Sequence, residues 1–349
     1  MSLMIMDQDP EFLNLTNEIF TRQLENNQGL SASLDGWARK KMYQDVQYNV
    51  DFLYTALYLE DEGIFSRYAR WLYQLLCPLM EYFTRERVCA IMVEHYELIR
   101  SCLENAVAEE TRPKLHRLLD AAIWATRDEC AHGSQERPDK GRYEQETGQY
   151  LNLLLQSDTQ GAMALVAEYM NAGLPLGDIC VDIIAEAMRR VGDLWHGHRI
   201  SVDMEHYCTS VTQMALSQLY PLIFGQKRRG KHVLVACVGS ELHEIGARMV
   251  ADLFEYHGWD SIYLGAAVPV EAIKSAALEH RPDLVALSVT MPQHLPHCRE
   301  AVKQLREQDP GIKIAVGGNA FSGTKIWAGW DVIYTEDARN LVQWAEDTL

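Results

Sequence analysis

Short β-rich runs alternate with helical patterns in the last third of the chain, and this alternation constrains the fold more than any other feature. Each run is rich in aliphatic and β-branched residues and is followed by a segment of helical spacing; the runs are 232–238, 261–265, 283–289, 313–318 and 332–335. Strands that alternate with helices form parallel sheets whose two faces are covered by those helices. The pattern therefore predicts a Rossmann-like domain with a doubly wound parallel sheet over residues 231–349.

The rest of the chain has a helical pattern. Apolar residues recur at helical spacing from about residue 12 to residue 129, which predicts an all-helical domain over 1–130. The polar stretch 131–142 contains two glycines and a proline and predicts a linker. Four shorter segments with short connections then predict a four-helix bundle over 143–226; they are 143–156, 159–171, 176–197 and 202–224.

Charge and apolar patterning argue against two classes of partner. The 49 acidic residues outnumber the 32 basic ones, and the net charge of −17 repels a phosphate backbone. The apolar runs are shorter than the roughly 20 residues of a membrane span, and the N-terminus lacks a secretion signal. We therefore expect a cytoplasmic protein that binds neither nucleic acid nor membranes. Its eight cysteines form no CxxC pair and are expected to be reduced thiols.

The loop after the first predicted strand carries the chemistry, because open parallel sheets bind ligands beyond the carboxyl ends of their strands. This loop places His243 where an imidazole nitrogen can point into the cleft. Glu241 can orient that ring and raise its basicity toward a metal. Gly246 lets the next helix approach a large planar ligand closely.

Two further strand ends add polar and small residues to the same edge. Ser288 and Thr290 lie at the end of the third strand and share one face, and Gly317 and Gly318 end the fourth strand and leave room for a bulky group. Each feature has an ordinary alternative, because loop histidines are often structural and a Gly-Gly pair is common in nucleotide-binding sheets. Their order and spacing together form a more specific pattern than any one of them.

In this combination the residues resemble the cobalamin-binding domain family, whose pattern is an acidic residue, any residue, His, two residues and Gly, then a Ser-containing strand and Gly-Gly. The resemblance implies cobalamin as the cofactor and His243 as the lower axial ligand of its cobalt, in place of dimethylbenzimidazole. It also implies Glu241 as the partner of that histidine. The residues that would contact the nucleotide tail are Ser288, Thr290, Gly317 and Gly318.

The bundle carries a second resemblance, to the cap of adenosylcobalamin-dependent photoreceptor regulators. In that cap a Trp and, ten positions later, a Glu-His pair surround the adenosyl group, and Trp195, Glu205 and His206 have this spacing. The resemblance implies that His196 can ligate cobalt from above after light has removed the adenosyl group. A core role for Trp195, and solvent exposure for the histidines, are the alternatives.

The first 130 residues lack a helix-turn-helix pattern, so the resemblance covers about 143–349 and leaves DNA binding in doubt. Their size and helix pattern are similar to degenerate sensor globins of bilin-binding photoreceptors called photocobilins. This implies a bilin such as biliverdin, with His95 or His116 beside it; an ordinary helical core is the alternative.

These resemblances imply a signalling photoreceptor rather than an enzyme. It would change conformation when its upper ligand is lost, pass the signal to a protein partner that the sequence does not identify, and form homo-oligomers that depend on light. A corrinoid methyl carrier of a methyltransferase system is the alternative. A mutase component is disfavoured, because about 130 helical residues do not form the substrate barrel that it requires.

Overall fold

The computed structural model describes residues 9–104, 106–133 and 141–349. The chain divides into two compact units. The first contains the N-terminal helices with the short segments 291–296 and 323–326, and the second contains the bundle and the sheet. Of the predicted linker 131–142, residues 134–140 lie outside the described residues, and the preceding helix continues to His132.

The N-terminal unit is helical, as predicted. Polar side chains begin most of its helices by accepting hydrogen bonds from backbone N–H groups of the first turn, as Asp35 and Thr84 do. Its helices are α1 (Pro10–Asn26), α2 (Gln28–Ser33), α3 (Gly36–Leu59), α4 (Glu62–Leu79), α5 (Arg85–Leu103) and α6 (Arg112–His132).

A polar cluster lies inside this helical unit. His95 is 8% exposed, and its Nδ1 and Nε2 lie 3.3 Å from Gln23 Oε1 and 3.1 Å from Asn49 Nδ2. These contacts suit a neutral ring in which Nδ1 donates and Nε2 accepts. His116 is partly exposed and lies 3.8 Å from Glu104. Because both ring nitrogens of His95 have protein partners, the structure gives that residue a packing role, and a bilin beside either histidine stays a prediction.

Burial lowers the pKa of His95 to about 4, and this predicts acid sensitivity of the helical unit. The unfolded chain takes up a proton on His95 near its ordinary pKa of about 6.5, whereas the folded unit resists protonation down to about 4. The stabilisation is therefore complete above pH 6.5 and is lost as the pH falls toward 4. From pH 8 to pH 4.5 we expect His95 to remove about 2.5 kcal/mol from the free energy of unfolding.

Urea denaturation of wild type, His95→Gln and His132→Gln at several pH values checks this. His132 is 75% exposed in the same unit and serves as the matched control. In the His95→Gln variant the free energy of unfolding should fall less on acidification than in wild type. In the His132→Gln control it should fall as much as in wild type. Equal pH dependence in all three proteins would contradict the assignment.

The second unit begins with the bundle, called the cap below. Its helices are α7 (Glu144–Leu155), α8 (Thr159–Asn171), α9 (Ala185–His196), α10 (Val202–Ser217) and α11 (Tyr220–Ile223). Two details differ from the sequence prediction. Residues Asp178–Ile184 before α9 form a π-helix, and the last predicted helix is split before Pro221, which has no N–H for a continued helical ladder.

The sheet has five parallel strands, which confirms the predicted fold class. They are β1 (His232–Cys237), β2 (Asp260–Tyr263), β3 (Leu284–Ser288), β4 (Lys313–Gly317) and β5 (Ile333–Tyr334), in the order β2-β1-β3-β4-β5. The α-helices that follow β1, β2, β3 and β5 are, in that order, α12 (Ile245–Tyr256), α13 (Val270–His280), α14 (Leu295–Gln308) and α15 (Ala338–Thr348).

This strand order positions the site. The chain moves from β1 to the edge strand β2 and then returns to the other side of β1 as β3. The loops after β1 and β3 therefore leave the sheet side by side, at the switch point where such sheets bind ligands. Cys237 pairs with Ser288 at the ends of the two strands.

The cap and the sheet share one hydrophobic core. Buried residues of the cap, such as Tyr150 and Ile183, belong to the same cluster as Val235 of β1 and Phe254 of α12. In the described part of the chain, no helix is long and apolar enough to cross a membrane.

Candidate cobalamin-binding site

Glu241 organises the loop after β1. Its side chain is fully buried, and Oε1 accepts hydrogen bonds from the backbone N–H of His243 at 3.0 Å and from His243 Nδ1 at 2.5 Å. The other oxygen, Oε2, accepts from the backbone N–H of Thr290 at 2.7 Å. One carboxylate thus joins the loops after β1 and β3 and fixes the orientation of the imidazole.

The imidazole of His243 is accessible, since its side chain is 54% exposed. The hydrogen bond that His243 donates to Glu241 is the main cause of its raised pKa; burial opposes the shift, and the charges of Glu241 and Glu205 add to it. With Nδ1 held by the carboxylate, Nε2 is the nitrogen that can coordinate a metal. A carboxylate behind a histidine in this way is the usual arrangement for raising the basicity of a metal ligand.

The predicted tail-contact residues lie at the same edge but differ in role. The backbone N–H of Thr290 donates to Glu241 at this edge, and its contact with a nucleotide tail stays a prediction. A Cβ added to Gly317 would meet no atom within 4 Å, so this glycine borders open space. Gly318 has a φ of 98°, and a Cβ there would lie 2.2 Å from the carbonyl oxygen of Val289, so its hydrogen is needed for backbone packing against the segment after β3.

Cap residues predicted to surround the upper ligand lie at the end of α9 and in the first turn of α10. Trp195 and His196 are half-buried, and the side chain of His206 is 74% exposed. Glu205 Oε2 lies 2.7 Å from His206 Nδ1, and Glu205 Oε1 accepts from Thr209 Oγ1 at 3.0 Å. The charge of Glu205 is also among the smaller causes of the raised pKa of His243.

Three residues that the sequence interpretation missed join the cap to this loop. Glu244 Oε1 accepts from Gln213 Nε2 of α10 at 2.8 Å, and Glu244 Oε2 accepts from the Tyr263 hydroxyl of β2 at 3.0 Å. A signal was available, because Gln213 follows Glu205 by eight residues, which places both on one face of α10.

The residues present fit a corrinoid. His243 is a single exposed donor, so a metal held there needs its remaining ligands from the cofactor itself. Space for a large planar group exists beside the loop, since a Cβ on Gly246 or on Gly317 would meet no atom within 4 Å. His243 would hold the cobalt from below, with Glu241 behind it.

Comparison with known proteins agrees with this geometry. Residues 148–220 and residues 231–342 each match a family model described as a B12 binding domain. The first match covers most of the cap and the second covers the sheet and its helices. The predicted cobalamin cofactor is therefore supported by both parts of the second unit.

Curated relatives include two regulators from Myxococcus xanthus. The HTH-type transcriptional repressor CarH is 29% identical over 167 residues, which are 47% of this chain and 55% of the repressor. The HTH-type transcriptional repressor CarA is 33% identical over 92 residues, which are 26% of this chain and 32% of that protein. The chain thus spans about half of the first relative and a third of the second.

Corrinoid proteins match over nearly their whole length. Dimethylamine corrinoid protein 1 of Methanosarcina acetivorans is 26% identical over 198 residues, which are 54% of this chain and 90% of that protein. The structure of the Methanosarcina barkeri monomethylamine corrinoid protein shares the fold, with a TM-score of 0.52 at 20% identity over 59% of this chain and 99% of the other. With B12 binding domains over 148–220 and 231–342, the chain belongs to the cobalamin-binding protein family.

Proposed function

We propose that the chain is a cobalamin-dependent light sensor that holds adenosylcobalamin between cap and sheet. The observation that carries this proposal is the facing pair of elements at the site. On the sheet side Glu241 anchors the imidazole of His243, and on the cap side α10, which carries Glu205, contacts the next residue, Glu244, through Gln213. A ligand bound between them would contact both, so its chemical state would affect the position of the cap.

Each side chain has a defined task in this proposal. Glu241 keeps the proton of His243 on Nδ1 and leaves Nε2 for the cobalt, and the Thr290 N–H keeps Glu241 in place. Trp195 and the Glu205–His206 pair would enclose the upper ligand and exclude water from it. When bound, adenosylcobalamin supplies a cobalt–carbon bond that light can break.

The signal would be a change in cap position. Cap residues contact the adenosyl group only while it is attached, so the two states differ in contact free energy, and that difference is what can shift a conformational equilibrium. His196, at the end of α9, is the candidate for an upper-face imidazole after the adenosyl group has left. A bilin bound in the N-terminal unit would absorb light as well and contribute to the same change in cap position.

Absorption spectra before and after green illumination test this function. Wild type loaded with adenosylcobalamin in darkness should form a photoproduct that is stable for hours. His196→Ala should lose that stability, and His198→Ala, two residues away and exposed, should keep it. A photoproduct with no dependence on His196 would remove that residue from the mechanism, and the lack of any stable photoproduct in wild type would remove light as the signal.

A corrinoid methyl carrier is the second candidate. It is favoured by the match to the dimethylamine corrinoid protein, which covers 90% of that protein, whereas the match to the first regulator covers 55%. A carrier has to leave the upper face open to a partner enzyme. It should therefore bind methylcobalamin and adenosylcobalamin with similar affinity, whereas a sensor with an enclosing cap should prefer adenosylcobalamin.

A further inference from the structure

The cap is attached to the sheet domain by a strong ionic contact at one point. Arg339 of α15 donates to both carboxylate oxygens of Asp182 at 2.7 and 2.8 Å and to Asp178 at 3.1 Å. Both aspartates belong to the π-helix of the cap, and Asp178 is only 8% exposed. Tyr143 adds a hydrogen bond to Asp178 at 2.7 Å. This end of the cap is fixed by several charged contacts.

Helix α10 is attached more lightly, through its C-terminal half. Arg248 of α12 donates to the Gln213 carbonyl at 3.3 Å and to Ser217 Oγ at 2.9 Å, and the Gln213 side chain donates to Glu244. Over residues 202–212, no hydrogen bond to the sheet domain is present in the described part of the chain. Among the described residues, Gln213 is thus the residue of α10 with hydrogen bonds to the sheet domain that lies nearest to the turn carrying Glu205 and His206, called the ligand-facing turn below, and its shorter contact is the one with Glu244.

Glu244 occupies an unusual position. It directly follows His243, precedes the first residue of α12, and receives hydrogen bonds from two different elements, α10 through Gln213 and β2 through Tyr263. Along α10, Glu205, Thr209 and Gln213 lie on one face at intervals of four residues. A movement of the turn that carries Glu205 is therefore transmitted along a rigid helix to Gln213.

We propose that Glu244 is a positioning residue that fixes the distance between the ligand-facing turn of α10 and His243. Tyr263 ties the Glu244 carboxylate to the sheet, and the carboxylate ties α10 to the loop of His243 through Gln213. The inference rests on the proposed function in one respect, namely that this distance determines which upper ligand the site prefers. With the contact intact, the cap fits the adenosyl group; with it broken, α10 moves away while His243 and Glu241 keep their own contact.

An exchange of the two side chains tests this directly. Gln213→Glu places two carboxylates where a donor and an acceptor now lie 2.8 Å apart, so the contact should break. The double variant Gln213→Glu/Glu244→Gln restores one donor and one acceptor, and the introduced amide can still accept from Tyr263 through its oxygen. Gln218→Glu, five residues further along the chain, adds the same charge as a control.

Hydrogen exchange of the apoprotein gives a readout that needs no cofactor. Gln213→Glu should raise the exchange rates of amides 205–212 by about tenfold, and the double variant should return them to within about twofold of wild type. Gln218→Glu should leave them unchanged. Unchanged exchange in Gln213→Glu, or failure of the double variant to restore it, would overturn the attachment role; the double variant also shows whether the single one merely folds poorly.

Binding measurements then test the link to selectivity. Gln213→Glu should weaken adenosylcobalamin binding by about tenfold and hydroxocobalamin binding by about twofold, and the double variant should recover both. If exchange responds but the ratio of the two affinities does not, the positioning role is wrong. If wild type binds no cobalamin, the proposed function fails and the exchange result still decides whether Glu244 holds the cap.

Discussion

Replacement of His243 by alanine should leave the chain folded and change the absorption spectrum of bound cobalamin to that of a cofactor without a histidine on its lower face. The side chain is 54% exposed, so its loss removes little core packing, and the backbone N–H groups of residue 243 and Thr290 still donate to the buried Glu241 carboxylate. It is the imidazole that Glu241 orients for coordination. We expect affinity for cobalamin to fall by at least about tenfold, the lower limit seen when groups that support metal ligands are removed.

Cobalamin is titrated into wild type and His243→Ala, and binding is followed by absorption in the visible range. His257→Ala is the matched control, because His257 is also partly exposed in the same unit and has a carboxylate, Glu346, 2.9 Å from its Nδ1. The control should bind as wild type does. A histidine-ligated spectrum in His243→Ala would rule out this residue as the lower ligand.

The second large effect is expected at Gly318. Its φ of 98° and ψ of 162° lie in a region that is essentially restricted to glycine, and an alanine Cβ would overlap the Val289 carbonyl at 2.2 Å. Backbone strain and overpacking each cost about 1–3 kcal/mol, so Gly318→Ala should lower the free energy of unfolding of the sheet unit by about 4 kcal/mol.

Gly317→Ala separates packing from ligand binding at the neighbouring position. A Cβ there meets no atom within 4 Å, so denaturation by urea should show a change below about 1 kcal/mol. The added methyl group would occupy space that the proposed nucleotide tail requires, and cobalamin binding should weaken. Equal stability losses at the two glycines would show that the distinction drawn between them is wrong.

Periodicity predicts the strands of this fold and the helical character of the rest. The five strands were placed within one or two residues at most ends, because buried parallel strands are short aliphatic runs with clear limits. The π-helix was not foreseen, since a change from α to π hydrogen bonding leaves the apolar spacing of Asp178–Ile184 nearly unaltered. The split before Pro221 could have been predicted from the proline itself.

The candidate site was predictable only where contacting residues are close in sequence. Glu241 and His243 are two residues apart, and their spacing alone indicated the pair. The contact from the Thr290 backbone N–H to Glu241 is not visible in the sequence, because it is the pairing of β1 with β3 that brings the two loops together. Gln213 and Glu244 are separated by a whole domain boundary, and only tertiary packing shows their contact.

The common core of cap and sheet has a consequence for how such modules can be recombined in evolution. A gene fusion that joined a new segment at 226–231 would separate Tyr150 and Ile183 from Val235 and Phe254 and leave both parts with exposed apolar faces. Tyr143 already packs against this core, so a junction that keeps it whole lies upstream of that residue. Cap and sheet are therefore expected to be inherited together.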